Sequence, residues 1–304
     1  MDYQFASSLV KRMRQETALK TGDYLRSWRQ RRRMSQLDLA LEAEISQRHL
    51  SFLESGRASP SREMLLHLAE RLDIPLRERN TMLLAAGFAP VFAERNLDDP
   101  AMAAAREAIE MVLKGHEPFP ALAVDRHWNL VASNRALAPL LVGIEDKSLL
   151  EAPVNVLRLS LHPQGLAPRI ANLTEWRTHL LDRLRRQITV SGDDLLAELL
   201  QELSALPVDQ SLRSMQAAAP ADYGGIFVPL KLVTDAGLLS FLSTTTIFGS
   251  PRDITLSELA LEAFFPADAE TSRIMKERVD KRETSLAVTG AGPAPVDITF
   301  RTAR

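Results

Sequence analysis

The sequence predicts two folded domains of different class, an N-terminal all-α domain and a C-terminal α+β domain with an antiparallel sheet. Three observations lead there. The chain has 304 residues, more than one average domain and enough for two. Residues 22–87 carry apolar stripes at helical spacing, punctuated by capping serines, glycines and prolines. Beyond Pro118 the period changes to short β-prone runs separated by turn residues, with two amphipathic helices among them.

Gly22 and Asp23 open a first helix, which carries Leu25 and Trp28 into the basic cluster Arg31, Arg32 and Arg33. Ser35 suits the N-cap of a second, because its hydroxyl can accept from orphan amides while Leu37, Leu39, Ala40 and Leu41 follow. Ser46 caps a third, with Leu50 and Leu53 on one face and Gly56 at its stop. After Pro60 a fourth is striped by Met64, Leu65, Leu68 and Leu72, and Pro75 starts a fifth that ends at Gly87. Asp99 and Pro100 then open a connector helix over 100–113, whose alanines permit close packing.

In the second half, ALAV (121–124) and WNLVA (128–132) form a hairpin around Asp125, Arg126 and His127. Residues 154–161 fit strand or helix equally. A helix from about Thr174 carries Trp176, Leu180, Leu184 and Ile188. Another, capped by Ser191 with Asp193 and Asp194 in its first turn, carries Leu196, Leu199, Leu200 and Leu203. GIFVPLKLV (225–233) and LLSFLSTTTI (238–247) make a second hairpin, and Pro229 puts its first strand at an edge or a bulge. The domains expected are an N-terminal extension (1–20), the helical domain (21–90), the connector (91–117), the α+β domain (118–268) and a helix and tail (269–304). Gly, Pro, Ala and Thr without period predict disorder from about residue 285.

Composition narrows the function. Apolar residues make up 45% and charged residues 25%, the balance of a folded soluble protein. There is no cysteine, which excludes disulfides, thiol catalysis and cysteine zinc sites and suits the cytoplasm. No apolar run approaches a membrane span, and the first residues do not read as a secretory signal. Residues 1–80 hold 15 Lys and Arg against 11 Asp and Glu, whereas residues 81–304 hold 22 against 28. A basic front on an acidic body is what a nucleic-acid reader joined to another module shows.

The stretch SQLDLALEAEISQRHLSFLESG (35–56) carries the specific signal. Two helices crossing steeply over a short turn need a small residue near the crossing, here Ala40. They also need apolar residues where they touch, here Leu39, Ile45, Leu50 and Leu53. Gln47 and Arg48 then face outward at the start of the second helix, where Gln can pair with adenine and Arg with guanine. Gln36 is placed for a phosphate or for orienting Gln47. The expected DNA-contacting set is Ser35, Gln36, Ser46, Gln47, Arg48, Ser51 and Arg57. Phe52 fits a thymine methyl or a neighbouring helix equally well, and Arg29 to Arg33 form a basic face suited to phosphates.

With these residues in register, residues 22–87 resemble the helix-turn-helix family of phage-type repressors, the XRE family. The resemblance rests on Ser35-Gln36, Ala40, Ile45-Ser46, Leu50, Leu53-Glu54, Gly56 and Pro60-Ser61; Ser55 departs from it, standing where such proteins often have Arg or Asn. It implies sequence-specific binding of double-stranded DNA; because one such motif reads only a few base pairs, a homodimer on a near-palindromic operator is expected.

The chain from Pro118 to about Asp268 resembles the ligand-binding domain of MmyB-like transcription regulators. The residues that carry this are ALAVDRHWNLVASNRA (121–136), Asn155 to Arg158, Leu161-His162-Pro163 with Gly165-Leu166-Ala167-Pro168, and the Asn172 to Arg186 helix. The resemblance implies a PAS-like fold and a small apolar ligand such as a fatty acid. The residues themselves offer aromatics (Trp128, Phe227 and Phe241, taken as strand residues, with Trp176) and cations (Arg158, His162, Arg169, His179) that could meet a carboxylate.

No enzyme signature accompanies these motifs. The six histidines (His49, His67, His116, His127, His162, His179) form no metal spacing, and no nucleophile elbow or phosphate loop is present. No cofactor is expected and no membrane partner. Two readings of the second domain stand: a sensor of a small apolar ligand, or a protein-interaction and dimerisation module without one.

Overall fold

The computed structural model describes residues 20–207, 227–249 and 251–278. It divides into two compact units, Met1–Glu94 with Arg252–Ser257, and Arg95–Pro251 with Glu258–Arg304. The expected N-terminal extension, save Lys20, and the tail expected from residue 285 lie outside the described residues.

The described residues before Glu94 in the first unit form helices α1 (Thr21–Arg31), α2 (Gln36–Glu42), α3 (Gln47–Glu54), α4 (Arg62–Arg71) and α5 (Leu76–Ala85). Ser35 and Ser46, the serines expected as caps in this unit, act as such, and Ser61 caps α4 besides. Ser35 Oγ accepts from Asp38 N while Asp38 accepts from Ser35 N, a reciprocal capping box, and Ser46 and Ser61 accept from the amides of His49 and Met64. Leu39, Ala40, Leu50 and Leu53 are buried together with Leu25, Trp28, Leu65 and Leu68. Gly22 is fixed by a close approach: a Cβ there would lie 2.5 Å from the Glu54 carbonyl oxygen at the end of α3. Between α2 and α3 Glu44 takes a left-handed conformation (φ 54°), which makes the turn tight enough for the two helices to cross. A segment from far along the chain completes this unit. Asp253 bridges to Ala93, and the amide of Ile254, the first residue of a short helix Ile254–Ser257, donates to the Ala93 carbonyl. The sequence gives no local sign of this return, because it is a pairing between residues far apart in the chain.

The second unit begins with a 3-10 turn, Pro100–Met102, capped by Asp99, and α6 (Ala103–Gly115). It contains a five-stranded antiparallel sheet in the order β2-β1-β5-β4-β3, from β1 (Ala121–Val124), β2 (Leu130–Ser133), β3 (Leu230–Thr234), β4 (Gly237–Ile247) and β5 (Ala260–Pro266). β3 is an edge strand and begins after Pro229, as a residue lacking an N–H donor requires. The residues before Phe227 in the run expected as its first half lie outside those described. β5, which the periodicity had not suggested, is the central strand: Leu122 and Thr245 flank Glu262 across the sheet.

Helices α7 (Val156–Leu161), α8 (Leu173–Ser191) and α9 (Asp194–Ala205) share one core with the sheet. The stretch 154–161, ambiguous by pattern, is helical because the Asn155 side chain caps it, accepting from Arg158 N. The expected cap of α9 is corrected. Ser191 ends α8, its hydroxyl donating to the Gln187 carbonyl, and Asp193 caps α9 by accepting from Leu195 N. Gly192, left-handed at φ 65°, ends α8 and leaves Ser191 two residues ahead of the α9 cap, where its hydroxyl accepts from Asp193 N before the helix begins. In the Gly165 step a Cβ would meet the Leu159 carbonyl oxygen at 2.4 Å, so the glycine lets the chain fold back over α7. The described residues close with helical backbone over 269–278.

Candidate functional site

In the first unit the helices present one polar face. Gln47 and Arg48 are exposed in the first turn of α3, Ser51 is half-buried one turn on, and Arg57 is exposed just past its end. The Phe52 ring lies between two cations, with the Arg48 and Arg57 guanidinium carbons 5.4 and 5.9 Å from its centroid. Neither serine cap is committed as a donor by its cap bond, so Ser35 and Ser46 keep hydroxyl protons for an outside acceptor.

Behind this face sits a buried ion pair. Arg29 Nε donates to Glu54 Oε1 at 2.6 Å and Nη2 to Oε2 at 2.8 Å, while Nη1 donates to the Met34 carbonyl at 2.9 Å. Burial pushes the Glu54 carboxyl upward, but bonds from Arg29 and Gln36 and the charges of Arg29 and Arg26 outweigh it and hold it below the usual range. The Gln36 amide donates to Glu54 Oε2 at 2.8 Å, so Gln36 is tied to Glu54 and not directed at Gln47. A buried carboxylate has four acceptor sites to satisfy, and Gln36 is the donor within reach.

In the second unit a cavity of about 100 Å³ opens between the sheet and α7 and α8, several times the space one water needs (about 10–15 Å³). Its wall is almost wholly apolar, with Leu122, Leu140, Leu157, Trp176, Leu180, Phe241 and Phe264 among the residues that form it. Trp128 closes one side. Its backbone is left-handed (φ 67°) and its indole N–H donates to Gln187 Oε1 at 2.8 Å. Two serines, Ser160 and Ser243, reach the wall, and Ser160 Oγ accepts from the Trp176 indole at 3.0 Å.

A family model described as MmyB-like transcription regulator ligand binding domain matches residues 105–277, and one described as Helix-turn-helix matches residues 25–79. The chain belongs to the MmyB-like transcription regulators. No curated protein matches it. As an MmyB-like regulator it joins a DNA-binding helix-turn-helix to a ligand-binding domain, and the cavity lies within the residues matched to that domain.

Of the residues the sequence offered for a ligand, the regulator places Trp128, Trp176 and Phe241 in the cavity wall. Of the three aromatics expected on strands only Phe241 is on one, since Trp128 sits in the β1–β2 turn and Phe227 precedes β3, largely exposed and outside the wall. The cationic set is not brought together there. Arg158 forms a two-pronged pair with Glu202, both nearly half exposed. Arg169 donates to the carbonyls of Leu140, Val142 and Val233. His162 ends α7 and accepts from Gln164 N. His179 stacks on Trp176 at 5.5 Å between ring centroids and is not in the wall, and burial, then the charges of Arg183 and Arg186, push its pKa down. Which way each cation turns is set by its place in the fold, which residue type alone does not reveal.

The cavity's charged residues are ones the sequence had not singled out. Arg183 donates from Nη1 to Glu262 Oε2 at 2.9 Å and from Nη2 to Thr245 Oγ1 at 2.6 Å, and Nη2 also reaches Glu262 Oε1. Its guanidinium carbon lies 4.5 Å from the centroid of the Trp128 ring. One signal could have found Arg183, since it follows Trp176 by seven residues and so shares its face of α8. Glu262 gave none, because LSELALEAFF reads as easily as helix. Among the described residues no group of three or more acidic or histidine side chains is placed to hold a metal ion, and no helix is long and apolar enough to cross a membrane.

Proposed function

We propose that this regulator binds a near-palindromic operator as a homodimer, and that its second domain senses a small, apolar, fatty-acid-like ligand that alters operator affinity. One observation carries the reading: a cavity with an almost continuous apolar wall in the ligand-binding domain. Strand order 2-1-5-4-3 supports a PAS-like domain. Gln47 and Arg48 read base edges, Ser51 and Arg57 flank them, and Ser35, Gln36 and Ser46 lie against phosphates. Dimerisation places two heads about 34–36 Å apart on one DNA face. α6 supplies a surface for it, since Met111 and Val112 are exposed apolar residues on a helix whose Ile109 and Leu113 are buried.

A ligand shifts operator affinity only by its difference in affinity for the two states, and a coupling of about 1–3 kcal/mol corresponds to roughly 5- to 150-fold. The test is organic extraction of the purified protein with mass spectrometry of the extract, followed by operator titration with and without the compound found. A regulator that purifies empty, dimerises through its second domain and titrates operator identically with any alkyl compound has an interaction module there instead.

A further inference from the structure

The polar end of the cavity is electrically closed. Among the described residues in its wall only Arg183 and Glu262 carry charge, and they face each other. We infer that the cavity selects an alkyl compound with a neutral hydrogen-bonding head, such as an alcohol, an amide or an ester carbonyl, over the ionised acid of the same tail. This rests on the reading of the second domain as a sensor of an apolar ligand and narrows the fatty-acid-like class to its alkyl tail with a neutral head.

The argument is one of donor geometry. A guanidinium binds a carboxylate strongly when it offers two parallel N–H groups along one edge. Arg183 has two such edges. Glu262 takes the Nη1–Nη2 edge, accepting from both nitrogens. The Nε–Nη2 edge is broken because the other Nη2 hydrogen goes to Thr245 Oγ1 at 2.6 Å. The Trp128 ring lies against the guanidinium face at 4.5 Å. What Arg183 retains is single N–H donors on Nε and Nη1, which a hydroxyl or carbonyl oxygen satisfies without bringing charge.

An incoming carboxylate would lose its hydration, find the arginine already neutralised and meet the Glu262 carboxylate as a like charge. Displacing Glu262 is resisted by its place on the central strand, where its cross-strand neighbour Thr245 also donates to it at 3.0 Å. Glu262 is 4% exposed, so without Arg183 it would be an unpaired buried charge.

The test compares octan-1-ol with octanoate, and decan-1-ol with decanoate, on the full chain at neutral pH. Binding is read by calorimetry and by the emission of Trp128 and Trp176, both in the wall. The alcohol of each pair is expected to bind at least about tenfold more tightly, and Glu262→Gln is expected to abolish or invert the preference by leaving Arg183 a net cation. The wild-type ranking needs no variant, so it decides the matter even where Glu262→Gln does not fold. Tighter binding of the acids by the wild type would overturn the neutral-head assignment while leaving the sensor reading intact. Failure of both classes to bind, up to a tetradecyl tail, would overturn the sensor reading and this inference with it.

Discussion

Arg29–Glu54 and Arg183–Glu262 are the same chemistry in two settings. In the first unit the pair joins residues 25 apart, and the surrounding helices close over it: the Arg29 side chain is 10% exposed and the Glu54 side chain not at all. In the second unit the pair joins residues 79 apart, and the arginine stands in the wall of a cavity with its side chain 22% exposed. One pair completes the reading head and is closed over by its helices. The other borders empty space and retains donors that the fold does not use. A buried ion pair therefore indicates a ligand site only when the packing around it has been left open.

The largest expected effect tests that contrast. Removing one partner of a fully enclosed pair strands a charge, so Glu54→Ala should cost about 3–5 kcal/mol in chemical denaturation of the full chain. Glu262→Ala should cost less, by about 1 kcal/mol or more, because water entering the cavity can solvate Arg183. Equal losses would erase the distinction between a closed and an open pair.

A second test concerns a polar anchor specific to the α+β unit. Burial raises the Asp193 carboxyl, but the bond and charge of His127, the charge of Arg126 and the Leu195 amide outweigh it and hold the group at about 2. A carboxyl with its folded pKa depressed from 3.8 stabilises the fold above its unfolded pKa and loses that contribution as pH falls from about 4 towards 2. The amount is about 2 kcal/mol. Asp193→Asn should remove this part of the acid dependence of unfolding. A variant whose acid profile overlays the wild type would show that the His127 contact contributes nothing.

On the DNA side, Arg48→Ala should weaken binding to the preferred operator by about 1–3 kcal/mol and relax preference at one base pair. Equal weakening on random DNA would reduce Arg48 to a phosphate contact. The smallest expected effect is at a cap: Ser46→Ala should lower stability by about 1 kcal/mol, since the His49 amide loses its acceptor. A loss much beyond that would mean the hydroxyl does more than cap α3.

Much of the first unit was legible in the residues because its rules are local. A cap acts three residues away, a helical stripe repeats within two turns, and the crossing of α2 and α3 is set by Ala40, Leu50 and Leu53 close together in the chain. The same locality gave α8 and the β3–β4 hairpin. It failed at Ser191, because the left-handed Gly192 ends α8 there and Asp193, expected in the first turn, is the cap of α9. It failed more fully at β5, a strand buried between two neighbours, whose pattern carries no alternation to distinguish it from a helix.

By itself, then, the sequence determined that an all-α reading head precedes an α+β domain, which serines start the helices of the head, and that Trp128, Trp176 and Phe241 belong with apolar surroundings. Only the tertiary structure decided which cations border the cavity. Arg158, Arg169 and His179 were the cations the residues offered and Arg183 was not, but each of the three is engaged elsewhere and Arg183 is the one in the wall. It decided too that Glu262 meets it, and that residues 252–257 return to the first unit. The physical reason is shared by all three. Each depends on contacts between residues many tens of positions apart, which no cap, stripe or turn within the local chain encodes.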